Sequence, residues 1–183
     1  LKDKFIIELR ATVYRKNGKV FKEYPWIVAN SLLKQFIQIF YAQASDLIQP
    51  VKDTSGVIKA TGGWGSAGTF VAGVNNTTIG IVIGSGTNPV AMDDYKLQSQ
   101  LTTNIAHAAQ SLALENPDPN TWRTVISRAL KNNTGNVLSI KEVALYGYGE
   151  GVFDKMCFDR TLYSVDVPIG LTITLNYKFT ITL

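Results

Sequence analysis

The sequence predicts an all-β protein: an antiparallel β-sandwich of jelly-roll-like type, with an N-terminal β-hairpin arm over residues 1–27, a sandwich domain over 28–183 and one amphipathic helix. Three observations carry this. First, Leu171 to Leu183 alternate without a break. Leu171, Ile173, Leu175, Tyr177, Phe179, Ile181 and Leu183 hold one parity, and Thr172, Thr174, Asn176, Lys178, Thr180 and Thr182 the other. A period of two puts the two sets on opposite sides of a pleated strand, and the β-branched threonines suit a strand better than a helix. Second, an alternating run from residue 4 to 14 leads into Lys16-Asn17-Gly18-Lys19 and a second run, Val20 to Tyr24, closed by Pro25. Asn-Gly supplies the positive φ angles of a type I′ hairpin turn. Third, the later apolar runs are short and separated by turn residues, with no long helix between them, which is the pattern of antiparallel sheets with one face on a core.

The remaining elements follow in order. Asn30 or Ser31 can cap a helix over about residues 30–45, with Leu32, Leu33, Phe36, Ile37, Phe40, Tyr41 and Ala44 on its apolar face and Ile39 out of pattern. Its expected role is to cover one end of the β core, with docking on a neighbouring subunit as the alternative. Residues 53–76 are rich in Gly, Ser and Thr and predict a loop, with one short strand near Thr69 to Ala72. Ile79 to Ile83 predicts a buried strand turned by Gly84-Ser85-Gly86-Thr87-Asn88-Pro89, and Asp93 to Leu101 a short helix or turn. Further strands are expected at Ala108–Leu114, Thr121–Lys131, Leu138–Gly147 and Val152–Leu162, ahead of the terminal strand.

A chain of 183 residues is long enough to bury a core. Charged residues make up 17%, below the usual quarter or so, so Thr, Asn, Ser, Gln and Gly must cover the surface. The net charge of +4 sits at one end: residues 1–25 hold seven basic and three acidic side chains, and the rest is neutral. Arg10, Arg15, Lys16, Lys19 and Lys22 are therefore candidate contacts with an acidic neighbour. Nucleic acid is the lesser expectation, because no aromatic-interleaved basic motif accompanies them. One cysteine, Cys157, allows no intrachain disulfide and no cysteine-rich zinc site. No apolar run approaches the roughly 18 residues that span a bilayer. The chain opens on Leu1 and not Met, which leaves a removed leader, a removed tag or an unseen end equally open.

Candidate chemistry is sparse, and neither an enzyme nor a cofactor is expected. His107 is the sole histidine and stands among alanines, so the usual nucleophile–base pairs have no base to use. Gly80-Ile81-Val82-Ile83-Gly84-Ser85-Gly86 lacks the Gly-Lys-Ser/Thr ending of a phosphate loop. Asp93-Asp94 suits a helix cap better than calcium, Asp154 and Asp159 lie in no ligand pattern, and no metal is expected. Trp64, in the glycine-rich loop, is the tryptophan expected at the surface, where it could meet a sugar or a subunit.

Four segments in this order resemble a known group of proteins: Ile79 to Thr87 leading into Asp93 to Leu101, then Ile140-Lys141-Glu142-Val143-Ala144-Leu145-Tyr146-Gly147, then Phe158-Asp159-Arg160-Thr161-Leu162, then Val167-Pro168-Ile169-Gly170 and the last strand. The order is similar to that in virion structural proteins of tailed phages and related prokaryotic viruses, over residues 28–183. Asp159-Arg160 stands in the reverse of the usual order, and the basic hairpin is additional. The resemblance implies a self-assembling virion subunit, capsid or tail, that contacts other virion subunits and carries no catalytic residues. Two other readings stay open: an extracellular filament or adhesin subunit assembled by strand exchange, and a carbohydrate-binding module using Trp64.

Overall fold

The computed structural model describes residues 4–29, 32–62, 70–149 and 155–183. The chain is mostly β, its sheets are antiparallel, and it has one helix among the described residues. Strand β1 (Lys4–Tyr14) turns into β2 (Val20–Glu23). Gly18 adopts φ 77° while Asn17 does not have positive φ, and the Gly18 amide donates to the Arg15 carbonyl at 3.0 Å. That is a type I turn closed by a left-handed glycine, not the type I′ turn expected, because the loop holds three residues and not two. The chain runs on into β3 (Ile27–Val28), which pairs with β1 beyond β2.

The terminal strand β12 (Thr172–Thr182) pairs with β1 over its whole length, from Lys4↔Thr182 to Tyr14↔Thr172. Its other side pairs with β9 (Thr121–Asn132), whose outer edge carries β7 (Ile105–His107) and then β8 (Ser111–Asp118). The expected arm is thus largely sheet: Ile7, Leu9, Ala11 and Val13 of β1 belong to the core, and packing does not divide at residue 27. A second sheet has the order β11 (Lys155–Val167), β10 (Leu138–Tyr148), β6 (Gly80–Gly84). One buried cluster joins the two sheets. It contains Ile173, Leu175, Ile126 and Leu130 from the first and Ile81, Ile83, Ile140, Val165 and Val167 from the second.

Helix α1 (Lys34–Ser45) begins later than expected, and its N-cap is Leu33, without a side-chain cap. Asn30 and Ser31 lie outside the described residues. Its buried residues are Gln35, Ile39 and Ala42, while Ile37, Phe40 and Tyr41 are exposed. The out-of-pattern Ile39 is therefore the anchor, packed with Val51, Met156 and Phe158. The reason is tertiary: the helix lies on β11 and on β4 (Gln49–Lys52), and that contact selects the face. β4 pairs with β5 (Ile58–Thr61), and β5 lies inside the region expected to be loop. Asp53 closes that hairpin by accepting the amides of Ser55 and Val57, both at 2.9 Å. Residues 70–72 are not strand, Asp93 to Leu101 contains no helix, and β11 runs five residues past Leu162.

Candidate interaction surface and the motif-bearing core

The register between β10 and β11 shifts at Ile140/Glu142, where two residues of β11, Tyr163 and Ser164, stand against one of β10, and this shift decides which β10 side chains face which layer. Leu138 and Ile140 face the first sheet, and beyond the shift Val143 and Leu145 do so. Glu142, Ala144 and Tyr146 then turn to the opposite side, under residues 85–101. Glu142 is fully buried there. Its carboxylate accepts the amides of Gly86 (3.0 Å), Gln98 (3.1 Å) and Ser99 (2.9 Å) and the Arg160 Nε (2.7 Å). Arg160, also fully buried, donates through Nη1 to Asp94 at 2.7 Å and through Nη2 to the Asn88 carbonyl at 3.0 Å. Burial works against the Arg160 charge, but the hydrogen bonds it donates to Glu142 and Asp94 outweigh that, and its pKa is raised.

The glycine-rich turn after β6 therefore does cradle an anion, and the anion is the chain's own Glu142. A Cβ on Gly84 or Gly86 would stand 2.5 Å from the Glu142 Oε1, so only glycine fits this approach. Asp94 is the partner of a buried arginine and caps no helix. Asp159 points to the other side of the strand, where it accepts the Tyr177 hydroxyl at 2.8 Å and that of Thr161 at 2.9 Å. Burial first, and Asp159 next, push the Tyr177 phenol well above its ordinary value. Asp154 lies outside the described residues. Among the described residues no group of three or more His, Cys, Asp or Glu is placed to hold a metal.

His107 is buried beside Arg128, and its two ring nitrogens have no hydrogen-bond partner among the described residues. Burial, then the Arg128 charge, lower its pKa to about 4. Arg128 donates to the carbonyls of Ala108 (3.1 Å), Ile81 (3.0 Å), Ile79 and Gly73 (both 3.2 Å) and Asn76. This ties β9 to β6 across the core.

The feature that faces outward is the far half of the first sheet. The apolar parity of β12 continues past the end of the second sheet. Leu9, Tyr177 and Ile126 form a cross-strand row that is almost fully buried. Two residues further along each strand the row is Ile7, Phe179, Thr124 and Leu114. Two further again it is Phe5, Ile181 and Trp122, which are 53%, 52% and 53% exposed. With Leu112 on β8 and a wall made by Phe36 and Phe70, these side chains line an open groove of about 580 Å³. Arg123 and Thr124 are the polar residues that border it, and Arg123 is held by Glu115 at 2.7 Å.

The basic residues singled out from the sequence do not form one cluster. Arg10 pairs with Glu23 at 3.4 Å and lies over the Trp26 ring, whose centroid is 4.8 Å from its guanidinium carbon. Lys178 approaches the same ring at 4.2 Å and binds Glu8 at 2.6 Å. Lys22 lies over Tyr24 and Arg15 over Phe21. Arg15 and Lys16 do share a cleft with Lys131, a residue the charge count of the N-terminal segment does not include, and Lys19 is exposed at the hairpin tip. Trp64 lies outside the described residues, and Trp122 is the tryptophan the structure exposes. Trp122 could have been found by extending the parity of Ile126 and Leu130 back to the start of β9. Compared with protein-family models, with curated proteins and with solved structures, the chain matches none.

Proposed function

We propose that the chain is a non-enzymatic virion structural subunit of a prokaryotic virus, one that self-assembles and binds neighbouring capsid or tail subunits. The two sheets sharing one core are, in this reading, the layers of a jelly-roll-like sandwich, and the hairpin tip around Arg15, Lys16, Lys19 and Lys22 is what remains of the arm. One observation carries the reading: segments that resemble virion proteins meet at one internal cluster, Gly84 and Gly86, Asp94 with Gln98 and Ser99, Glu142, and Arg160. They are used to lock a long connection onto the second sheet, and they leave no open reactive centre there. A chain whose motif residues serve packing acts through its surfaces, and this one exposes apolar side chains on the open sheet face and on α1.

The test is electron microscopy of the purified protein with mass determination in the same buffer. Closed rings or compact oligomers are the expected result. Open filaments would replace this reading by the filament or adhesin one, and a monomer at high concentration would overturn both. The arm is tested by substitution, because deleting residues 1–25 would remove β1 and four core residues with it. Lys16→Glu with Lys19→Glu is expected to weaken assembly while leaving the fold unchanged by circular dichroism. A carbohydrate-binding reading has less support from the groove, whose lining offers a sugar few hydrogen-bond partners.

A further inference from the structure

We propose that the open half of the first sheet is an interface for a second copy of this chain, packed face to face about a two-fold axis. This rests on the reading of the chain as a self-assembling subunit and names the surface used. The domain has two β layers over one half of its long strands and one layer over the other. Row by row, Leu9–Tyr177–Ile126 is covered by the second sheet, and Phe5–Ile181–Trp122 is not, although all six share one face. A sheet face this apolar needs a second layer. An identical half-sheet supplies one of equal length, and a two-fold sets each copy's bare half under the other's.

Area and charge favour a copy of the chain over an unlike partner. Phe5, Leu112, Leu114, Trp122 and Ile181 are each about half exposed or more. Together they offer on the order of 500 Å² per copy, so a two-fold pair buries roughly 1,000 Å², where specific interfaces begin. The rim is electrically closed: Arg123 is paired with Glu115 of its own chain. Among the described residues that line the groove, Arg123 is the one charged side chain, so this lining offers a highly charged partner no unpaired charge and brings two copies no like-charge repulsion. An isologous contact also demands one self-complementary patch, and the aromatic and branched side chains among the described lining residues provide it.

The experiment is sedimentation equilibrium of the full chain over a wide concentration range. It compares the native protein with Leu114→Lys, Trp122→Arg and Ile48→Lys. Leu114, Trp122 and Ile48 are 69%, 53% and 68% exposed, so each substitution is compatible with the fold, and Ile48 stands outside the groove. Native self-association is expected. The two groove variants should raise the dissociation constant on the order of tenfold or more, because each would bury an unpaired charge, and Ile48→Lys should not. If the native chain associates and both groove variants associate equally well, this interface is wrong and the self-assembly reading stands. If the native chain is monomeric throughout, both fail.

Discussion

The two largest fully buried side chains are both arginines, and they solve the same problem in opposite ways. Arg160 meets two carboxylates, Glu142 and Asp94, and its pKa is raised. Arg128 has no carboxylate among the described residues and donates to five backbone carbonyls, and burial lowers its pKa to about 10. Carbonyl dipoles satisfy the hydrogen bonds of a guanidinium but do not neutralise it. The charge at Arg160 is compensated, and the charge at Arg128 is tolerated. The first cluster is thus held mainly by ion pairing and the second by hydrogen-bond geometry, so the two should fail differently.

The largest expected effect is at the compensated site. Arg160→Met would leave Glu142 fully buried without a cation, and losing one partner of a buried pair costs about 3–5 kcal/mol. Urea denaturation should show the midpoint falling by that equivalent at pH 7. A loss below about 1 kcal/mol would mean that the three amides on Glu142 suffice to stabilise its charge, and the comparison would break.

Much of this frame was legible in the sequence and some of it could not be. The perfect parity of residues 171–183 identified the face that becomes the core and the groove, and Asn17-Gly18 located the hairpin. The type of that turn was misread because Asn-Gly also closes three-residue loops. The helix face was misread because Ile37, Phe40 and Tyr41 follow helical spacing as well as Ile39 does, and only β4 and β11 decide between them. Glu142 stood inside a quoted segment, yet nothing local marks it as the anion for a glycine-rich turn 56 residues earlier. Long-range charge pairing has no sequence period. Neither does the end of a covering sheet, so the sequence points to Trp64, outside the described residues, and not to the exposed Trp122.

The tolerated charge at Arg128 has a pH signature through His107. His107 has a folded-state pKa of about 4 against 6.5 in the unfolded chain, so between these values the unfolded state binds more protons. The stability of the native state is therefore full above pH 6.5, falls as pH drops, and levels off below pH 4. The shift corresponds to about 3 kcal/mol over that window. Asp53 does not confuse the reading: its pKa is lowered, because the hydrogen bonds it accepts outweigh its desolvation, and its contribution is lost only in stronger acid. His107→Leu should flatten the slope between pH 6.5 and 4 in urea titrations. An unchanged slope would show that the ring is protonated in the folded protein.

The smallest and most discriminating effect is Arg128→Met. It removes the donors to five carbonyls, which costs, and it also removes an uncompensated buried charge, which stabilises. The two partly cancel, so a loss of about 1–3 kcal/mol is expected, smaller than for Arg160→Met. The same variant lifts the repulsion on His107, so the acid loss of stability should shrink as well. The two readouts separate the causes. If Arg128→Met costs more than Arg160→Met, carbonyl geometry outweighs charge compensation in this core. If it leaves the acid slope untouched, desolvation alone sets the His107 titration, and the neighbouring guanidinium is electrostatically silent.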